Sequence, residues 1–351
     1  VHPAPRACCF DRSCRGTPGA AARQANGSRL ARASGAFLLS VSLAGTPIQM
    51  LGAEVRLEPI RPIPEAATLE ARAAALGERL FADPRLSRDG RMSCASCHDL
   101  ARHGADGRTH PSGTEVTQGS VKTPTVYNSG LSFVQGWNGR APTLEAMVGL
   151  AVTSPAFMGS SWSKVIQGLR SDAKLNADFD AVFDEAPTPE TVTAAIAAFE
   201  RSLVTPNSRF DRWLAGEDEA IDEAELDGYR LFKSYGCVSC HQGANVGGNM
   251  YGRMGLMGDY FADRGGEITP ADLGRFTITG LDEDRHLFKV PSLRLAVRNP
   301  PYFHDGSTET LAEAIRVMAR YQLGRSISDE HVAAIERFLT TLVGEHPRLT
   351  P

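Results

Sequence analysis

Two triplets of side chains carry the chemistry of this sequence: Cys94, Cys97 and His98 in "MSCASCHDL", and Cys237, Cys240 and His241 in "YGCVSCHQG". A Cys-x-x-Cys-His run puts two thiols on one turn, able to add across the two vinyl groups of a haem. The next residue then offers its imidazole to the iron from the same side. The spacing reads as c-type haem attachment, with His98 and His241 as proximal iron ligands. Three other uses of these residues compete. Four pooled thiolates would make a zinc site. A Cys-x-x-Cys could be a redox dithiol, although the thioredoxin-like βαβ context is missing. Each pair could also close a short disulfide outside the cytoplasm. Of the seven cysteines, Cys8, Cys9 and Cys14 lie in an Arg/Pro/Gly/Ala-rich start without hydrophobic period, and the other four all belong to the motifs. Two complete motifs with no stray cysteine favour two covalently bound haems.

The elements that must position these triplets follow from periodicity. Residues 65–82 have apolar side chains at helical spacing and end in the turn cluster "DPRLSRDG" before the first motif. Residues 221–235 repeat the arrangement directly before the second. "LGERLF" and "LDGYRLF" read as one helix used twice, hence as an internal duplication of a cytochrome-like unit. Further helices are expected over 162–170, 188–204, 309–321 and 328–343, with Thr188 (before Pro189) and Ser328 as N-caps. The Gly/Pro/Asn-rich stretches 99–145 and 242–308 read as loops longer than a compact domain normally tolerates, unless a haem offers them an apolar surface. The expected fold class is mostly α: two cytochrome c-like haem domains, residues 54–210 and 211–351, with long loops packed on the haems and a boundary within 205–220.

Composition is ordinary for a globular protein: 351 residues, 42% hydrophobic, 22% charged, formal net charge −4. It allows two domains and gives no electrostatic case for nucleic acid. No run approaches the ~20 apolar residues of a membrane span. Arg29 and Arg32 precede "SGAFLLSVSLAG", followed by small residues at Ser42 and Ala44 and again at Ala53. This pattern describes an export signal, so residues 1–53 are expected to be a leader and the protein periplasmic; an N-terminal arm is the alternative.

The stretches "LGERLFADPRLSRDGRMSCASCH", "TPTVYNSG", "GWNGRAPTLEAM", "MGSSW", "YGCVSCHQGANVGG", "LGRFTITG", "FKVPSLR" and "PPYFHDGSTETLAEAIRVM" run in order from about residue 69 to 343. Together they resemble the bacterial dihaem cytochrome c peroxidases, a family that includes the MauG-type dihaem enzymes. The resemblance implies a C-terminal haem where electrons enter, an N-terminal haem where hydrogen peroxide is reduced, and a tryptophan between them. The electron donor would be a small redox protein, a c-type cytochrome or cupredoxin, and members are commonly homodimers. By this resemblance the distal methionine falls on Met318, although Leu311, Ile315 and Met318 alone read as a core stripe. Met250, Met254 and Met257 are alternatives. The bridging tryptophan falls on Trp137, and His304 matches a family histidine close to the second haem.

Four positions depart from the family pattern. Thr114 stands where peroxidases carry a removable distal histidine; His110 lies four residues earlier, and MauG-type enzymes also lack that ligand. Phe157 and Met147 stand where a glutamate and a glutamine handle the peroxide's protons. Neither can move a proton, which is worth roughly 10²–10⁴ in rate; Glu115 and His110 are the nearest ionisable candidates in sequence. Met147, Phe157 and Met158 could instead line an apolar pocket. Lys122 replaces an asparagine that ligates calcium in many members, so a calcium ion between the domains stays open. Three readings follow: a dihaem peroxidase, a MauG-like oxidase of a partner protein, and an electron carrier or sensor with a degenerate peroxide pocket. MauG-type enzymes often place a tyrosine where Met318 stands, which counts against the second.

Overall fold

The computed structural model describes residues 56–64, 71–111 and 121–349. The expected leader, Thr114 and Glu115 lie outside the described residues. In chain order the α-helices are α1 (Ala71–Phe81), α2 (Leu144–Thr153), α3 (Trp162–Arg170), α4 (Ala173–Phe183), α5 (Pro189–Ser202), α6 (Arg209–Leu214), α7 (Glu223–Tyr235), α8 (Tyr260–Arg264), α9 (Phe276–Thr279), α10 (Leu311–Leu323) and α11 (Asp329–Thr340). Among the described residues the sheet is a single antiparallel pair, β1 (Tyr251–Arg253) and β2 (Leu287–Lys289), with Gly252 opposite Phe288. The molecule is helix-rich with little sheet. No described helix is long and apolar enough to cross a membrane.

The capping residues read from the sequence cap their helices. Thr188 accepts from the Thr191 amide with Pro189 opening α5, and Ser328 accepts from the His331 amide at the start of α11. Five helices, α2, α4, α6 and the short α8 and α9, were not expected. In α2 apolar residues occupy most of the circumference, which hides the helical period. The six-residue α6 sits inside the stretch whose polar flanks mark a boundary, capped by Ser208, which accepts from the Asp211 amide. The long loop after the second motif holds β1, β2 and two short helices.

One helix pair is used twice. Helix α1 packs on α5, and α7 packs on α11. In each pair a glycine lets the backbones touch: a Cβ on Gly77 would lie 1.9 Å from the Ala195 carbonyl oxygen, and one on Gly228 would lie 2.0 Å from that of Ala334. In each pair a phenylalanine from the motif-side helix packs on one across the contact. Phe81 meets Phe199 at 5.3 Å, and Phe232 meets Phe338 at 5.2 Å.

The apolar interior follows this duplication. One core gathers Leu76, Leu80, Phe81, Val165, Phe179, Ile196 and Phe199, and a second gathers Phe210, Tyr229, Phe232, Ile335 and Phe338. A smaller aromatic group joins Tyr260, Phe261, Phe288 and Tyr321. Between the two main cores runs a buried polar seam. Asn128 donates to Thr205 Oγ1 and accepts from the Thr205 amide, both at 2.9 Å, and its carbonyl accepts from Asn245 Nδ2 at 3.4 Å. Ser292 closes the seam onto Asn245 Oδ1 at 2.7 Å. In the second core the fully buried Arg294 pairs with Asp211 at 2.7 Å and donates to Ser208 Oγ and the carbonyls of Ala244 and Arg61.

Candidate functional site

Each cysteine pair spans a short 3₁₀ turn, Cys94–Ser96 closed by Cys97 and Cys237–Ser239 closed by Cys240; the second follows α7 directly, and the first follows α1 after a further turn at Pro84–Leu86. Gly236, with φ +98°, ends α7 and opens the second turn. The imidazole that follows is oriented the same way in both copies. His98 Nδ1–H donates to the Gly104 carbonyl at 3.1 Å, and His241 Nδ1–H donates to the Val246 carbonyl at 3.3 Å. A carbonyl can only accept, so Nδ1 carries the proton and Nε2 keeps its lone pair, as an iron ligand requires. Burial pushes the His98 pKa down and that of His241 down to about 4, which keeps both rings neutral.

The competing uses of the triplets fit less well. No disulfide closes either Cys-x-x-Cys loop. Among the described residues, the one His/Cys/Asp/Glu trio with ligand atoms at metal-binding separation is Asp272, His304 and Asp305, so neither motif forms a tetrahedral zinc centre and the two do not pool. Burial raises Cys94 to about 12 and Cys237 to about 11, which keeps them as thiols rather than redox-active thiolates. A haem suits the donor set: paired thiols, an oriented neutral imidazole and cationic side chains for its carboxylates. Lys122 is buried, its pKa lowered by desolvation and partly restored by Asp106. Burial lowers Lys289 to about 8, and among the described residues no carboxylate pairs with it. The held residues would be Cys94, Cys97 and His98 for one haem and Cys237, Cys240 and His241 for the other.

Trp137 is tied to both of these lysine segments. Its indole donates to the Lys122 carbonyl at 2.8 Å, its own carbonyl accepts from the Lys289 amide at 2.8 Å, and its ring packs on the small aromatic group. Leu311 and Ile315 pack on the second core as their spacing implies, but Met318, half-buried on α10, is not part of that core. Met254 packs on the aromatic group, and Met257 is exposed.

The remaining candidates separate. His110 is exposed, with Nδ1 3.1 Å from Thr109 Oγ1. Met147 on α2 and Phe157 after it are half-buried, whereas Met158 belongs to the first core. His304 is buried; its Nε2–H donates to Asp272 at 2.8 Å and its ring stacks on Phe288 at 4.5 Å. Burial would raise Asp272, but the bonds from His304, Arg264 and Thr269 outweigh it and hold the carboxyl far below its ordinary value. Arg264 bridges Asp272 and Asp305 at 2.7 and 2.8 Å, so a guanidinium already fills that trio.

Two residues of the region were not singled out by sequence. Arg140 lies over the ring of Phe157, 5.5 Å from its centroid. The buried Glu200 on α5 feels the Glu145 carboxylate and in turn raises the Cys94 thiol. Arg140 does stand in "GWNGRAP", three residues after Trp137 and directly after Gly139, and that was its available signal.

Comparison with known proteins bears on this arrangement. Residues 71–219 match the family model described as di-haem cytochrome c peroxidase. The chain is 41% identical over 311 residues to the cytochrome c551 peroxidase of Nitrosomonas europaea, covering 88% of this chain and 91% of that protein. It is also 41% identical over 292 residues to the cytochrome c peroxidase Ccp of Escherichia coli, covering 83% of this chain and 62% of that longer protein. Among solved structures, a MauG-like protein associated with microbial copper homeostasis superposes with a TM-score of 0.71 at 28% identity, covering 83% of this chain and 96% of the other.

Proposed function

The chain belongs to the di-haem cytochrome c peroxidase family, and from that membership we propose that it reduces hydrogen peroxide to water outside the cytoplasm, using electrons from a small c-type cytochrome or cupredoxin. The reaction takes two electrons and two protons into each peroxide and releases two waters. The observation that carries the reading is the duplicated turn, in which His98 and His241 each present Nε2 beside a cysteine pair while Nδ1 is held by a backbone carbonyl. When bound, the haems would supply two irons that store and pass electrons, one of them open to peroxide.

In this reading the N-terminal haem domain is 54–210 and the C-terminal one 211–351, a division supported by the two apolar cores. Cys94 and Cys97 hold one haem covalently, and Cys237 and Cys240 the other. Met318 would help hold the electron-entry haem through its thioether, supported by its position outside the core that Leu311 and Ile315 join. Trp137 carries electrons between the halves, supported by its bonds to the Lys122 and Lys289 backbones. The side chains of Lys122 and Lys289 would neutralise cofactor carboxylates, supported by their burial. The Cys-x-x-Cys-His pair and the "SGAFLLSVSLAG" leader support export to the periplasm.

Phe157 and Met147 favour a second reading, an electron carrier or sensor whose peroxide pocket is degenerate. The likeness to a MauG-like structure keeps a partner-protein oxidase beside it. Peroxide-dependent oxidation of a reduced c-type cytochrome by the dihaem protein, before and after reduction of the high-potential haem, separates these readings. Turnover with the cytochrome supports the peroxidase. No turnover, with both irons low-spin by absorption, refutes it.

A further inference from the structure

The loop 135–141 closes on itself. The Gln135 amide donates to the Ala141 carbonyl at 2.8 Å, and Gly136 and Gly139 take φ of +78° and +67°. A Cβ on Gly139 would fall 2.0 Å from the Tyr251 hydroxyl oxygen, so this turn has little room to move. From the turn Arg140 projects over the Phe157 ring at 5.5 Å. Its Nε reaches Asn138 Oδ1 only at 3.4 Å, and among the described residues no carboxylate pairs with it. Burial pushes its pKa down, the mark of a cation partly stripped of water. A guanidinium carries five N–H donors and stays charged at any working pH. Held against an aromatic wall with most of those donors unused, it is a preformed place for an anion.

We propose that Arg140 is a catalytic residue of the peroxide pocket, its guanidinium holding the oxyanion that develops as the O–O bond breaks. The inference rests on the peroxidase reading, which puts Phe157 in that pocket at the position of the family's acid. When the bond breaks, its electron pair goes to the departing oxygen, which leaves as hydroxide and is protonated to water. Two electrons from the donor and two protons from solvent complete the balance. Phe157 cannot supply a proton, and neither can Arg140. What the guanidinium can do is stabilise the hydroxide's charge, and the apolar wall beside it lowers the local dielectric and strengthens that interaction. The competing occupant is a carboxylate of the cofactor itself. Lys122 and Lys289 stand nearer that role, because the backbones of both are hydrogen-bonded to Trp137, whereas Arg140 faces Phe157.

The test is fluoride titration of the oxidised dihaem protein, followed by absorption, for the wild type, Arg140→Leu and Arg140→Lys. Carbon monoxide binding to the reduced protein is the neutral-ligand control, and the midpoint potentials are measured alongside. Loss of charged hydrogen bonds should weaken fluoride about 10- to 100-fold in Arg140→Leu, less in Arg140→Lys, with carbon monoxide affinity unchanged in both. Unchanged fluoride affinity in Arg140→Leu overturns the proposal. So does a shifted midpoint potential with fluoride unaffected, which assigns Arg140 to a cofactor carboxylate. Equal losses of fluoride and carbon monoxide overturn it as well, because they report a collapsed pocket. A wild type that binds neither fluoride nor peroxide refutes the peroxidase reading itself, an outcome distinct from the other three.

Discussion

Replacing Glu200 by glutamine removes an ionisable carboxyl from the interior while keeping its shape. Glu200 is 9% exposed on α5. Burial, with the Glu145 carboxylate adding to it and Arg201 opposing it, raises its pKa from 4.5 to about 8. The native state therefore binds this proton more tightly than the unfolded chain does. Between pH 4.5 and about 8 the native state holds more protons than the unfolded state, so stability falls as pH rises. The contribution is complete below the unfolded value and lost once pH passes the folded one. At about 1.4 kcal/mol per pH unit the interval sets an upper bound near 5 kcal/mol, and local relaxation and water entry should bring the span to about 2–4 kcal/mol. Glutamine is neutral throughout and lacks this slope. Glu200→Gln should match the wild type near pH 5 and exceed it by that span near pH 8. Denaturant unfolding of the holoprotein at several pH values reads the difference directly. A gap between the two proteins that does not change with pH would show that Glu200 titrates normally, and the reasoning would be wrong.

Two further substitutions probe the packing that holds the motifs. Gly77→Ala and Gly228→Ala each drive a methyl to within about 2 Å of a carbonyl oxygen on the partner helix; each should cost about 1–3 kcal/mol or more, seen as a lower denaturation midpoint, and a neutral result would mean the helix pair can separate freely. Arg294→Met leaves Asp211 buried without its cation and should destabilise by about 3–5 kcal/mol, with Asp211→Asn in the same background restoring part of the loss.

Much of the proposed site is read from the sequence because its key feature is local. The two Cys-x-x-Cys-His triplets are spelled within five residues, and α5 and α11 announce themselves through Thr188, Pro189 and Ser328. The duplication was visible in "LGERLF" and "LDGYRLF", and the glycine and phenylalanine of that stretch turn out to make the close contact in both halves. What escaped depends on tertiary proximity or on masked periodicity. Helix α2 is apolar on nearly every face, so no stripe marks it. Arg140 acquires meaning only when the chain returns to lay Phe157 beside it. Glu200 reads as one more polar residue near a helix end until α1 and α2 close over it.

The seam of Asn128, Thr205, Asn245 and Ser292 has a consequence for timing. Apolar cores tolerate small slips, because dispersion contacts have no preferred direction; the bonds that cross the seam, from Asn245 Nδ2 to the Asn128 carbonyl at 3.4 Å and to Ser132 Oγ at 3.3 Å, are directional and resist them. Tunnelling between redox centres weakens exponentially with distance, so a slip of an ångström between the halves would change a transfer rate severalfold. In the peroxidase reading, a polar ladder between the two cores would act as a ruler: it would fix the gap an electron must cross, and with it the pace of the molecule.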